Sequence, residues 1–205
     1  AGEYVNTVVM NEIRVTASGK GESFAPDGKA RVFDSSSPQP DLDLGSPNQA
    51  CPNGGGPGVG DAGKPGASGE NCVALGNLLI VQRRDKDRPD DAEDGGILDF
   101  EIDVSSRLII NKIGILDTPR GQATKIEITN RAFPDTPYTF ESLGVGANGF
   151  QEIAVPADAP VRYTSNLKID MPADAGIAYL RFCEYVSDFA LPGQEFRKLR
   201  LRGGL

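Results

Sequence analysis

The chain has 205 residues, 39% of them hydrophobic, with Gly 25 and Pro 15 but Trp 0 and His 0. Its net charge of −8 and pI of about 4.6 disfavour a nucleic-acid partner, because phosphate binding needs a basic face. The absence of histidine removes the usual general base and the serine-protease triad. No Gly-x-Ser-x-Gly elbow or phosphate-binding loop replaces them, so a non-catalytic protein is expected.

In chain order, residues 4–16 form a β-rich run carrying Val8, Val9, Ile13 and Val15, and residues 30–33 a short second strand. Residues 34–71 are dominated by Gly, Pro, Ser and Asp, with no strand or helix pattern. Cys51 and Cys72 bracket a stretch too poor in apolar residues to close on itself, which predicts a disulfide between them and an oxidising, secreted setting. Metal ligation by cysteine is the rival reading, but the spacing matches no zinc motif. Gly60, Gly63, Gly66 and Gly69 recur every third residue, as in collagen, although so few triplets cannot hold a triple helix. A Gly-rich surface loop of polyproline character is expected there. Gly58-Val59-Gly60-Asp61-Ala62-Gly63 formally matches a dinucleotide fingerprint, but no strand leads into it and no helix follows.

Order returns at residues 76–82, a continuous apolar run of core-strand length. An acidic loop over 85–96 follows. Leu98, Phe100 and Ile102 then alternate with Asp99, Glu101 and Asp103, residues 108–116 read as a long buried strand, and Ile126 and Ile128 alternate with charged neighbours. Further strands are expected over 150–155, 161–169 and 177–186, with Cys183 a buried free thiol. Period-two patterning between turn residues predicts one all-β domain over 1–205, an antiparallel β-sandwich of jelly-roll type with long Gly/Pro/Asp-rich loops. No apolar run approaches the roughly 20 residues of a membrane helix, so no membrane insertion is expected.

Several motifs occur in a familiar order: Val32-Phe33-Asp34-Ser35-Ser36, Asp41-Leu42-Asp43-Leu44-Gly45-Ser46-Pro47-Asn48, Gly55-Gly56-Pro57-Gly58, and Ala74-Leu75-Gly76-Asn77-Leu78-Leu79-Ile80. Gly95-Gly96-Ile97-Leu98-Asp99-Phe100, Ile113-Gly114-Ile115-Leu116-Asp117 and Gly146-Ala147-Asn148-Gly149-Phe150 complete the set. Over residues 32–186 the chain thereby resembles a secreted β-sandwich domain of bacterial and microalgal extracellular proteins. More distantly, it is similar to calcium-containing jelly-roll carbohydrate-binding modules. The resemblance implies an extracellular module to which no enzymatic activity is attached. The Cys51–Cys72 insertion and a basic C-terminal run depart from its pattern.

Calcium takes about six to eight oxygen ligands from carboxylates and carbonyls on flexible loops. Two segments offer them. One holds Asp34, Asp41 and Asp43, with Asn48 as a neutral donor. The other is crowded with Asp90, Asp91 and Asp94 beside Asp85, Asp87 and Glu93, and reads equally as a solvated turn neutralised by Arg83, Arg84, Lys86 and Arg88. A glycan is the alternative ligand. Alternation over 177–186 puts Tyr179, Arg181, Cys183 and Tyr185 on one face, either as a binding platform or as a second packed layer. At the C-terminus, over about 196–202, Arg197, Lys198, Arg200 and Arg202 flank Leu199 and Leu201, the pattern of a basic edge strand or of a self-association surface. The sequence thus predicts a calcium-stabilised structural or adhesive module.

Overall fold

The computed structural model describes residues 4–5, 7–8, 13–21, 29–83, 87–103, 108–159, 163–184 and 196–200. They form thirteen strands, and among them there is no helix. The strands are β1 (Tyr4–Val5), β2 (Thr7–Val8), β3 (Ile13–Gly19), β4 (Ala30–Asp34), β5 (Asn77–Val81), β6 (Gly96–Ile102) and β7 (Leu108–Leu116). After them come β8 (Ala123–Asn130), β9 (Phe133–Leu143), β10 (Phe150–Ala154), β11 (Thr164–Met171), β12 (Gly176–Glu184) and β13 (Phe196–Arg200).

Two antiparallel sheets face each other. Sheet A runs β1-β4-β5-β12-β7-β10, and sheet B runs β2-β3-β6-β11-β8-β9. Within them, β5-β12-β7-β10 and β6-β11-β8-β9 have the interleaved strand order of a jelly roll, extended at one edge of each sheet by the N-terminal strands. The expected fold class holds. β13 pairs with the part of β12 beyond its short register with β5, so the basic tail is a strand of its own sandwich along its backbone. Arg202, Tyr185 and Asp85 lie outside the described residues, and the side chain of Cys183 is likewise not described.

The alternating strands behave as their sequences dictate. In β3, Ile13, Val15 and Ala17 point inward while Arg14 and Thr16 point out; β6 does the same with Leu98, Phe100 and Ile102. These residues meet Ile126, Ile128, Leu167 and Ile169 of sheet B and Leu79, Ile113, Ile115, Ile177, Leu180 and Phe182 of sheet A in the main core. Sheet B is polar on its other face. Sheet A is not: Phe33, Leu78, Ile80, Leu116, Ala178 and Tyr179 form a second apolar layer, with Leu44 of the long loop among them. This explains the unbroken apolar run of β5, which is buried on both sides. A bulge between Ile177 and Tyr179 in the β12–β7 register adds the extra residue that lets Ala178 and Tyr179 both join the outer layer. Gly114, paired with Tyr179, leaves room for the ring: a Cβ there would lie 2.6 Å from it.

The loop over residues 35–76 crosses this outer face. Its three-residue glycine period is not polyproline. It reflects turns in tandem, with Ala67 N–H bonded to Lys64 O and Glu70 N–H to Ala67 O, both at 3.1 Å, whereas polyproline helix has no internal hydrogen bonds. Gly60, Gly63 and Gly69 back onto the loop over 145–149, where a Cβ on Gly63 would come 2.4 Å from Asn148 O. Cys51 and Cys72 are joined in a disulfide, as expected.

One strand escapes the sequence pattern. β9 (Phe133–Leu143) contains Pro134 and Pro137 and is largely exposed, so neither alternation nor composition marks it; as the edge of sheet B it tolerates both prolines. The N-terminal run also divides, into β1, β2 and β3 in different sheets.

If the long loop is part of the core, truncating its buried leucine has a core-sized cost. Leu44→Ala is expected to lose about 2–5 kcal/mol in urea unfolding. Leu42→Ala, 38% exposed in the same loop, is expected to change stability by less than about 0.5 kcal/mol.

Candidate metal centre

Asp91 is the residue around which the centre is built. It sits just past β5, bridged to Gln82, and is 5% exposed. Its carboxylate meets those of Asp41 and Asp90, with ligand oxygens all within 4.8 Å of one another. Asp91 Oδ2 is buried and has no hydrogen-bond partner. The charged groups acting most strongly on Asp91 are Asp41, Asp174 and Asp117, all acids. Asp41 brings Asp43 with it, and Asp43 in turn faces Asp117 and Asp174. Acids from the β4–β5 loop, the β5–β6 loop, the end of β7 and the β11–β12 turn therefore converge on one place.

Burial is the first cause of every shift here, with acid neighbours adding to it. Asp43 is pushed up to about 7 and Asp117 to about 8, while Asp91 is raised well above the usual carboxylate range and Asp174 is raised too. Asp117 adopts a left-handed conformation (φ 72°), one that aspartate tolerates better than most residues. Asn148 N–H donates to its Oδ1 at 2.5 Å. Beside Asp43, Asp117 and Asp174 opens a pocket of about 330 Å³, with Arg120 on its wall.

Of the residues the sequence nominates, Asp41, Asp90 and Asp91 come together and Asp43 adjoins them. Asp34 and Asp94 stand apart. Asp34 pairs with Asn77 at the far end of β5 from Gln82, and its Oδ1 accepts from Ser36 N–H at 2.9 Å and Ser36 Oγ at 2.6 Å, a local turn. Asp94 is exposed, beside Gly21. In the same loop Glu93 is paired with Arg83, so the acidic segment divides between a solvated ion pair and a buried cluster. Asp117, Asp174 and Asn148 are the residues that sequence reasoning missed. Each lies in a different loop, and a single acid after a strand has no local signature.

Of the face offered to a glycan, Tyr179 belongs to a packed layer. Tyr179 is 6% exposed, stacks at a tilt on Phe150 with ring centroids 6.1 Å apart, and donates its O–H to Glu152. Burial and then the Glu152 carboxylate hold its phenol well above the ordinary tyrosine range. Arg181 is half-buried, with its Nε enclosed and unpaired. The polar depression on the outer face of sheet B, lined by Arg14, Thr16, Asp99, Glu101, Ser165 and Asn166, has no aromatic ring for a sugar to stack on.

Comparison with family models, with curated proteins and with solved structures finds no match to this chain.

The raised carboxyls fix the pH response of the cation-free protein. Asp43, Asp117 and Asp91 keep protons in the folded state that the unfolded chain releases above about pH 4. The folded state then binds more protons than the unfolded one, so stability falls as pH rises from about 4 and levels off once Asp43 and Asp117 ionise at about 7 and about 8. Asp61 and Glu152, whose carboxyls are lowered by Lys64 and Lys112, act at lower pH and are already ionised in this window. Protein dialysed free of divalent cations is expected to melt at a higher temperature at pH 5 than at pH 8.

Proposed function

We propose that the protein is a secreted, non-catalytic β-sandwich module, structural or adhesive in role, whose loop-bearing face is locked by calcium. The observation that carries this reading is Asp91: a carboxylate 5% exposed, with one oxygen unpartnered, surrounded by further acids. A buried carboxylate among like charges is costly unless it is protonated or a cation neutralises it. The donor set is all oxygen, with no histidine in the chain and Cys51 and Cys72 occupied in a disulfide, which favours a hard cation over zinc or copper. Carboxylates from two irregular loops, with the acids of two further turns beside them, suit the loose coordination of calcium better than the octahedron magnesium demands. The disulfide supports an oxidising, extracellular setting, where calcium is plentiful.

A second reading, a calcium-dependent glycan-binding module, is favoured by the open pocket that adjoins the acids at Asp43, Asp117 and Asp174. Binding on a glycan array that vanishes with chelator would select it. Self-association through the basic tail has less support, since pairing of β13 with β12 accounts for that segment within one molecule.

At 100 times its dissociation constant, a ligand of the folded state adds about 2.7 kcal/mol. For a chain of this length that is on the order of 5–10 °C in melting temperature. Cation-free protein at pH 7.5 is expected to gain that much in tens of millimolar calcium, about 100 times the roughly 0.1–1 mM dissociation constant of extracellular modules, and to lose it in chelator. Asp91→Asn resembles the protonated side chain, so it is expected to keep the cation-free melting temperature and lose the calcium response. A wild-type melt indifferent to calcium would overturn the reading.

A further inference from the structure

Asn148 is fully buried, left-handed (φ 58°), and placed between the disulfide-closed loop and the acidic centre. Its side chain uses every hydrogen-bonding capacity an amide has. Nδ2 donates to Asp43 O and to Gly45 O, each at 2.7 Å. Oδ1 accepts from Asn48 Nδ2 at 2.6 Å and from Asn71 Nδ2 at 3.3 Å. Its main-chain N–H is the one that holds Asp117 Oδ1. A single residue thus grips the backbone beneath Asp43 and the carboxylate of Asp117, two acids on separate segments that act on each other.

The grip continues outward. Asn48 N–H donates to Asn71 O at 2.7 Å, and Cys51 N–H to Asn48 O at 3.1 Å. Cys72, next to Asn71, closes the disulfide to Cys51. No other contact on the β9–β10 loop is needed for this path: clamp, asparagines and acids are bonded in sequence.

We infer that Asn148 is the positioning residue of the cation centre, fixing Asp43 and Asp117 relative to each other and coupling the centre to the Cys51–Cys72 clamp. This rests on the cation site proposed above. Residues that orient metal ligands typically change affinity by about 10–100-fold when removed. A merely structural asparagine would lower stability equally with and without calcium and leave affinity alone.

The test is calorimetric titration of calcium into cation-free wild type, Asn148→Gly and the double variant C51A/C72A, with melting curves of each in chelator. Glycine keeps the left-handed backbone and the N–H to Asp117 while removing the side chain, so the hub alone is lost. Asn148→Gly is expected to bind calcium at least about tenfold more weakly while still melting cooperatively. C51A/C72A keeps every hub residue and is expected to bind more weakly than wild type; it decides the matter if Asn148→Gly does not fold. Wild-type affinity in folded Asn148→Gly, or in C51A/C72A, would overturn the inference and leave the cation site standing. Absence of calcium binding by the wild type would overturn both.

Discussion

Sheet A is apolar on both faces, and the outer face has to be covered. Phe33, Leu78, Ile80, Leu116 and Tyr179 would otherwise stand in water on the side away from sheet B. The cover is not another sheet or a helix but the irregular chain between β4 and β5, and irregular backbone is an awkward material for this purpose. Each peptide group it buries needs a partner, and none comes from a regular ladder. Three buried asparagines at this face, Asn48, Asn71 and Asn148, supply those partners from side chains, and the glycines let neighbouring backbones approach closely enough to use them.

The same demand accounts for the placement of the acids. A loop that folds back along the outer face must end somewhere, and its leading turn meets the ends of β5, β7 and β12 where Asp91, Asp117 and Asp174 already stand. Asp41 and Asp43 then enter a group that is short of positive charge. Elsewhere in the molecule acids find lysine or arginine: Asp61 with Lys64, Glu152 with Lys112, Asp170 with Lys20, Glu93 with Arg83. Those pairs are at least partly open to water. The buried acids lean on backbone and on each other.

Much of the sandwich was readable because half-buried strands imprint a period of two. β3, β6 and β8 alternate cleanly, and the run of β5 marks a buried strand even though its second cover lies far away in sequence. β9 left no imprint, since only Tyr138, Phe140 and Ser142 along its inner side are even half-buried and its prolines argue against a strand. The centre was legible where acids cluster in the chain, as at Asp90 and Asp91, and misleading where nearness in sequence is not nearness in space, as for Asp34. Asn148 and Asp174 become visible only when the loops are folded against one another. The glycine period announced regularity correctly but not which kind, because tandem turns and polyproline share a repeat of three.

The two prolines of β9 have a consequence beyond their own strand. β9 is the outermost strand of sheet B, and eleven residues is a long border for a sheet to leave unpaired. Such a border invites a stranger's backbone to continue the sheet, which is how soluble β proteins begin to clump. Pro134 and Pro137 each remove an amide hydrogen, the register with β8 slips between Ile128 and Asn130, and Asp135 and Glu141 add negative charge along the border. An incoming strand would meet missing donors, a broken spacing and repulsion together. Along this border, then, sheet B is a poor template for a strand of another copy, however closely the molecules are crowded.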